Sequence, residues 1–441
     1  MELIYYILIT LFIILLAGNV PIAFIFGIVG MVGLLSQGFL SVTIVRQVWH
    51  SMDSFALMAI PFFIFAGKIM SSGKITKQLV NFSDSLVGNL RGSLGHVNIF
   101  ASMLFAGISG AAISDISALG SMLIPAMEEK GYSRAYSSAI TAASSLVGPL
   151  IPPSIPIIIY GATMNMSVGI LFAAGVIPGV LLGASQMVTH HFISVKRDYE
   201  PPQVYKLKEK RKIHSFLNYF KKALRSFWES IFAIVMFLII IVGILGGIVT
   251  PTEAAGVAAA YAIIITLFIL KSLHLKDIWT VIIATVSMTG MAMLIIGGGS
   301  IINHFLVIEG IPTMLALFLR GITEIWWVFL LIVAAFLLFI GTFMSLLPSI
   351  IILAPIITPI ALEYGIHPYH FGLFFVYCMN MAMVTPPIGS ALYVVSAVGE
   401  VEMEKVIKEI VPFYVPFVFV LLLILFFEPI ATFIPKLLGL L

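Results

Sequence analysis

The chain has 441 residues, 61% of them hydrophobic and 10% charged, with a mean hydropathy of +1.14. A soluble domain carries roughly 25% charged residues, so this composition excludes a soluble globular protein and indicates a polytopic membrane protein. The net charge of +3 is unevenly spread: ten of the 23 Lys and Arg lie between Lys196 and Arg225 beside three acids, which marks a cytoplasmic loop, not a nucleic-acid patch.

Residues 3–17 and 20–36 are apolar segments separated by Gly18, Asn19 and Pro21, a hairpin of spans with Pro21 opening the second. The N-terminal run follows Glu2, not a basic region, and reads as a first membrane helix, not a cleaved signal. Residues 38–54 have mixed polarity and belong near an interface; 55–71 form the third span. Ile75, Leu79, Phe82 and Leu86 recur at helical spacing in 75–90, the pattern of an interfacial helix. The run 92–107 would rise only ~24 Å, short for a crossing. It meets the small, polar stretch from Gly107 to Asp115 and then a second short run to Met127, so a re-entrant hairpin is predicted. Arg91, Lys130 and Arg134 at its mouth face it to the cytoplasm. Residues 133–163 cross with an interruption, and 168–193 cross back.

The second half repeats the plan, with spans at 228–249, 254–271 and 278–300 and an interfacial segment at 311–321. A second hairpin follows (325–340 and 350–361), then an interrupted span (368–398) and a last span (412–434). Glu309, Glu324 and Glu363 outnumber Arg320 beside the second hairpin, which therefore opens to the opposite side. Pro125, Gly131 and Pro152-Pro153 recur as Pro359, Gly365 and Pro386-Pro387 at a constant offset, 359 − 125 = 234. Around them lie two islands, Gly148 to Ser154 and Ala382 to Ile388, each breaking an apolar helix-length run. Proline lacks the N–H and clashes with the preceding turn, so such breaks persist in a membrane only where protein or a water-filled cavity satisfies the freed carbonyls. Paired breaks in corresponding halves point to a transporter's binding site. Five spans and one hairpin per half, an odd number of crossings, make the two copies inverted and put both termini outside the cytoplasm. The single Cys378 permits no intrachain disulfide.

The whole chain resembles the large membrane subunit of tripartite ATP-independent periplasmic (TRAP) transporters. The residues that carry the resemblance are Ser109-Gly110 with Asp115 and Gly120, Ile151 to Ser154, Gly247 to Ala254, and Thr385 to Gly389. The resemblance implies an all-α, elevator-type transporter and Na⁺-driven uptake of carboxylate-bearing solutes such as sialic acids or C4-dicarboxylates. It also implies two partners, a periplasmic binding protein and a small four-helix membrane subunit, in a bacterial or archaeal cytoplasmic membrane. The implied division is scaffold helices with an interfacial arm (1–91), first hairpin and broken helix as transport domain (92–167), and scaffold with the basic loop 195–226 and second arm (168–324). The second hairpin and broken helix (325–398) complete the transport domain, and 399–441 is a C-terminal scaffold helix. Two positions depart from the family pattern: Ser345, where an acid is common, and Ala382, where glycine is common.

For Na⁺ the resemblance suggests Gly341, Ala382, Thr385 and Ile388 at the second hairpin, and subtracting 234 gives Gly107, Gly148, Ile151 and Ser154 at the first. Na⁺ is a hard cation that takes oxygens, which hairpin tips and helix breaks expose as free carbonyls. An organic anion must find positive potential without core Lys or Arg, so half-helix N-termini after Ser114, Ser154, Ser349 and Gly389 are the candidates. Ser109, Gly110, Asp115, Thr342 and Ser345 are the candidates to contact it. Asp115 is either an intramembrane functional acid or the N-cap of the second hairpin limb. Thr385 is either a ligand or a cap, Glu253 caps the helix after Pro251, and His190-His191 sit at an interface. No HExxH, phosphate-loop or nucleophile-elbow pattern occurs, so the sequence offers neither an ATP site nor an enzyme's catalytic pair. The rival readings are a stand-alone Na⁺/dicarboxylate symporter or exchanger of similar fold and an intramembrane enzyme.

Overall fold

A computed structural model describes residues 2–71, 73–199 and 223–441. Ser72 and most of the basic loop, 200–222, lie outside the described residues. Every regular element among the described residues is helical. The first half comprises α1 (Glu2–Ala17), α2 (Ile22–Ser36), α3 (Ser41–Met52), α4 (Ala59–Met70), α5 (Gly73–Val87), α6 (Ser93–Ser109), α7 (Ala112–Glu129), α8 (Arg134–Ser145), α9 (Ile155–Thr163) and α10 (Val168–Lys196). A short helix α11 (Ala223–Glu229) leads into α12 (Ile231–Leu245), α13 (Pro251–Ile264), α14 (Leu275–Ile308), α15 (Ile311–Ile322), α16 (Trp326–Phe343) and α17 (Leu346–Glu363). The chain closes with α18 (Pro368–Ala382), α19 (Ser390–Gly399), α20 (Met403–Ile410), α21 (Tyr414–Phe426) and α22 (Pro429–Leu437).

Among the described residues six helices are long and apolar enough to cross a membrane, and up to eight if each of two bent pairs is one span. This is fewer than the ten spans read from the sequence, because α1 and α2 are only 16 and 15 residues long and α8–α9 and α18–α19 are broken. The element bounds follow the sequence offset: adding 234 to Ala112–Glu129 gives Leu346–Glu363, the bounds of α17. One pair of counterparts differs. The first-half α3 and α4 meet at a 57° bend, whereas the second-half α14 runs unbroken for 34 residues, past the expected end at 300.

Two other spans shift. Residues 228–249 are interrupted by a 68° bend between α11 and α12. The last span runs over Met403–Phe426 and not 412–434, since Pro429, which has no N–H to extend the preceding helix, begins α22 after Glu428. On α5 the apolar stripe is buried at Ile75 and Leu79, but Leu86 is 39% exposed. Glu253 does cap α13, closing a capping box with Thr250.

The hairpin α6–α7 lies inside the molecule, packed by α4, α5, α8, α10 and α12, while α16 packs on α17, α18 and α21. The helices α10 and α21 pack on α18 and on each other, and α10 also lies against α6 and α9.

Candidate functional site

The helix break in the first half begins where α8 stops at Ser145. The prolines Pro149, Pro152 and Pro153 deny the chain amide donors, and both Pro-Pro bonds, Pro152-Pro153 and Pro386-Pro387, are cis. The Ser154 side chain then starts α9 as its N-cap, accepting from the Ile157 N–H at 3.3 Å while its hydroxyl donates to the Pro149 carbonyl at 2.5 Å. The facing hairpin turns at Gly110, which adopts φ +61°. A Cβ there would lie 2.2 Å from the Pro153 carbonyl oxygen, so only glycine fits. The Ile155 N–H donates to the Gly110 carbonyl at 3.2 Å, stitching tip to island.

Asp115 lies in the first turn of α7, which begins at Ala112 with Ala111 at its N-cap. The capping alternative for Asp115 therefore falls. Its carboxylate accepts the Ser109 hydroxyl, is 1% exposed, and leaves Oδ2 without a hydrogen bond among the described residues. That oxygen abuts Gly148, where an added Cβ would come within 2.6 Å of it. A buried carboxylate with one neutral donor and no counter-charge is costly unless something compensates it.

The second half builds its junction differently. Here α16 ends at Phe343, and Met344 and Ser345 are extended residues at the turn before α17. A Cβ at Gly341 would meet the Ala382 Cβ at 2.5 Å, so tip and island touch by close backbone approach. The Thr342 hydroxyl donates to Phe339 O at 2.8 Å and Thr385 Oγ1 to Met381 O at 3.0 Å. Thr385 thus bonds back into α18 and does not cap α19, whose N-cap is Gly389. Ile388 is 49% exposed, Ser345 is exposed and makes no cap bond. The half-helix starts expected after Ser114 and Ser349 lie earlier, after Ala111 and Ser345, because the tips are shorter than the polar stretches around them. Those after Ser154 and Gly389 stand as expected.

No hydrogen bond among the described residues reaches the carbonyls of Gly107, Gly148 or Ile151, nor those of Gly341, Thr385 or Ile388, while Ala382 O accepts the Thr385 N–H. The first junction thus offers free carbonyls and one unpaired buried carboxylate oxygen, and the second offers carbonyls alone. Both sets are hard oxygen donors that suit a cation such as Na⁺.

Several residues escaped the sequence reading. Asn380 Nδ2 donates to Leu146 O at 2.6 Å, joining two positions equivalent under the offset, 380 − 234 = 146. A buried polar column links α6 to α8 through Asn98, Thr141, Ser102 and Ser144, with Asn98 Nδ2 on Thr141 Oγ1 at 2.7 Å. Its signal was present: polar residues at helical spacing, Asn98 and Ser102 four apart and Thr141 and Ser144 three apart. His190 is buried within the protein: its ring meets the Tyr136 hydroxyl at 2.7 Å and Gly92 O at 2.8 Å, with the His96 ring edge-on at 4.7 Å.

A family model described as "Tripartite ATP-independent periplasmic transporter, DctM component" matches residues 9–430. The sialic acid TRAP transporter large permease SiaM of Vibrio cholerae is 36% identical, over 89% of this chain and 89% of its own length. The isethionate TRAP transporter permease DctMQ of Oleidesulfovibrio alaskensis is 35% identical over 96% of this chain, which spans 65% of that longer protein. Among solved structures, the Alcanivorax borkumensis YdaH transporter superposes with a TM-score of 0.54 at 14% identity, covering 88% of each chain, a likeness of fold alone.

Proposed function

This chain belongs to the DctM component family of TRAP transporters, as a multi-pass large permease subunit, and from that premise we propose Na⁺-driven uptake of an organic anion by an elevator motion of two inverted repeats. One observation carries the reading: a hairpin tip stitched to a broken helix at Gly110 and Ile155, beside the unpaired oxygen of Asp115. Such junctions concentrate free carbonyls and helix N-termini, the means of holding cations and anions without a charged side chain for each. Gly107, Gly148, Ile151 and Ser154, with Asp115, would hold one Na⁺, and Gly341, Ala382, Thr385 and Ile388 another. The N-termini of α7, α9, α17 and α19, with Ser109, Gly110, Thr342 and Ser345, would meet the anion. Bound Na⁺ adds the positive charge that the buried Asp115 and an anionic solute both need.

The relatives' names include a carboxylate, sialic acid, and a sulfonate, isethionate, so the common chemistry is a small organic anion. The hairpins and broken helices form the moving body. The sequence reading groups α10 and α21 with the scaffold, but their packing on α6, α9 and α18 supports moving them with that body.

We propose two partners, a small membrane subunit and a periplasmic binding protein. The scaffold presents exposed apolar side chains and a groove of ≈ 260 Å³ between α2, α3 and α14 for lipid or a membrane partner. A binding protein can open the tip of α16–α17 only by binding the open state more tightly than the closed one. Uptake into proteoliposomes, with the Na⁺ gradient, the small subunit and the binding protein each omitted in turn, tests the proposal. Loss of uptake at each omission is expected. Na⁺-driven uptake by this chain alone would favour the stand-alone symporter, and uptake indifferent to Na⁺ would remove the coupling.

A further inference from the structure

The arm helix α5 is pinned at three places to the second half. Lys74 Nζ donates to Leu270 O at 3.1 Å, Ser230 Oγ donates to Gln78 O at 2.8 Å, and Phe82 meets Phe227 edge-on at 5.9 Å. The first contact sets the start of α5 beside the turn between α13 and α14, and the other two fix the rest of the helix along the α11–α12 segment. Lys74 and Lys77 on α5 and Lys271 and Lys276 at the turn are all exposed. Among the described residues none of the four has an acidic partner. The local acids are engaged elsewhere: Asp277 accepts the His274 N–H at 2.8 Å, Glu229 pairs with Arg225 at 3.0 Å, and Asp84 has a partner of its own. Large aromatic side chains crown the same end, with Trp228 64%, Phe268 69% and Trp279 65% exposed.

We propose that this end, formed by α5 and the α13–α14 turn, is a binding surface for anionic phospholipid headgroups. Four unneutralised ammonium groups, two on the arm helix and two at the turn, supply the charge complementarity. The exposed indoles of Trp228 and Trp279 supply the level, since amphipathic aromatics settle at the headgroup boundary, and the apolar Phe268 ring beside them enters the acyl region. Directly beyond them α14 continues as an apolar helix largely open to its surroundings. A soluble acidic partner would match the lysines but leave those rings and that apolar face uncovered. The charge distribution assigns this end to the cytoplasmic leaflet, whose anionic lipids attract basic residues within a Debye length of the surface.

The test is retention of lipid by the purified chain in neutral detergent, read by native mass spectrometry with phosphatidylglycerol and phosphatidylcholine of identical acyl chains. Preferential retention of phosphatidylglycerol is expected, weakening as salt is raised. Apparent affinity should fall roughly fivefold for each Lys→Gln change among Lys74, Lys77, Lys271 and Lys276. The fourfold Lys→Arg variant should retain the lipid, which separates lost charge from lost folding, and Lys405→Gln with Lys408→Gln on α20 should not matter. Inorganic phosphate at equal concentration should not displace the lipid. Equal retention of the two lipids by the parent, salt-independent retention, or undiminished phosphatidylglycerol binding by the Gln variants would each overturn the proposal. So would stronger capture of a soluble polyanion than of the lipid.

Discussion

The two hairpins share their bounds under the offset of 234 and share almost nothing of their surroundings. The tip of α6–α7 is enclosed. Ser109, Gly110 and Asp115 are buried, a Cβ on Gly107 would strike the Phe237 ring of α12 at 1.9 Å, and one on Gly67 of α4 would lie 3.0 Å from Ile108 O. The tip of α16–α17 is the more exposed, with Phe339 63% and Phe343 54% exposed and Ser345 on the surface, although Gly341 and Thr342 are buried. The first turns through a left-handed glycine and holds an acid; the second turns through two extended residues and holds only hydroxyls and carbonyls. A duplicated backbone plan thus carries two tips in unequal surroundings. The first tip is enclosed by its neighbours, and the second meets its island at the close approach of Gly341 to Ala382 while α17 packs on α9, α14 and α18.

The sharpest way to break this comparison is to give both tips the same insult. In Gly110→Val a side chain must occupy left-handed backbone against the Pro153 carbonyl, which costs about 2–4 kcal/mol by overpacking and backbone strain. Thermal unfolding in detergent should show that loss, and uptake should fall below detection. At the equivalent position, Met344→Val should change stability by less than about 0.5 kcal/mol. Equal tolerance at both positions would mean that the first tip is not the more constrained of the two.

The next effect is on the ion. Asp115→Asn keeps the shape and an acceptor for the Ser109 hydroxyl but removes the charge. The Na⁺ concentration for half-maximal uptake should rise about tenfold, equivalent to ~1.4 kcal/mol. Its counterpart Ser349, 115 + 234, donates to Ser345 O at 3.0 Å within its own helix, so Ser349→Ala should shift that concentration by less than about twofold. Matching shifts would show that the second junction relies on a side chain as much as the first does.

What the sequence made legible follows from local chemistry. Proline and glycine punctuation located both islands and both tips to within a few residues, because a missing N–H or a positive φ acts on its own neighbourhood. Asp115 and Ser109 were recognisable as polar residues in an apolar run, but their mutual hydrogen bond was not. The capping alternative for Asp115 misplaces the boundary by four residues: the N-cap is Ala111 and the helix starts at Ala112. The burial of His190 depends on Gly92, Gly95 and Tyr136 arriving from two other helices, and no local pattern encodes that meeting. The straightness of α14 against the bend of α3–α4 depends on neighbours as well, since the offset alone predicts two alike spans. The Asn380–Leu146 bond joins the halves across the core and is invisible without the fold.

The smallest expected effect tests whether the second island works through its backbone alone. Thr385 is the counterpart of Ile151, 385 − 234 = 151, so the first junction manages without a hydroxyl at this position. In the second, Thr385 Oγ1 donates to Met381 O, and the neighbouring Tyr414 hydroxyl donates to Val384 O at 2.7 Å. The Tyr414 bond ties down a carbonyl that the broken helix end would otherwise leave loose, and the Thr385 bond adds a second donor to Met381 O, which also accepts the Val384 N–H at 3.2 Å. Removing the hydroxyl in Thr385→Ala leaves the Thr385 carbonyl in place but loosens the turn that aims it. A neutral hydrogen bond of this kind contributes ~0.5–1 kcal/mol, which corresponds to a shift of about two- to fivefold. The half-saturating Na⁺ concentration should therefore rise by roughly that factor, and Thr385→Val, of similar shape without the hydroxyl, should match it. Ile151→Thr in the first island should change nothing measurable. A tenfold or larger rise in both Thr385 variants would put the hydroxyl itself on the ion, making the second junction side-chain dependent like the first. No rise at all would show that the hydroxyl neither binds the ion nor aims the turn, leaving only the Thr385 carbonyl as a candidate ligand.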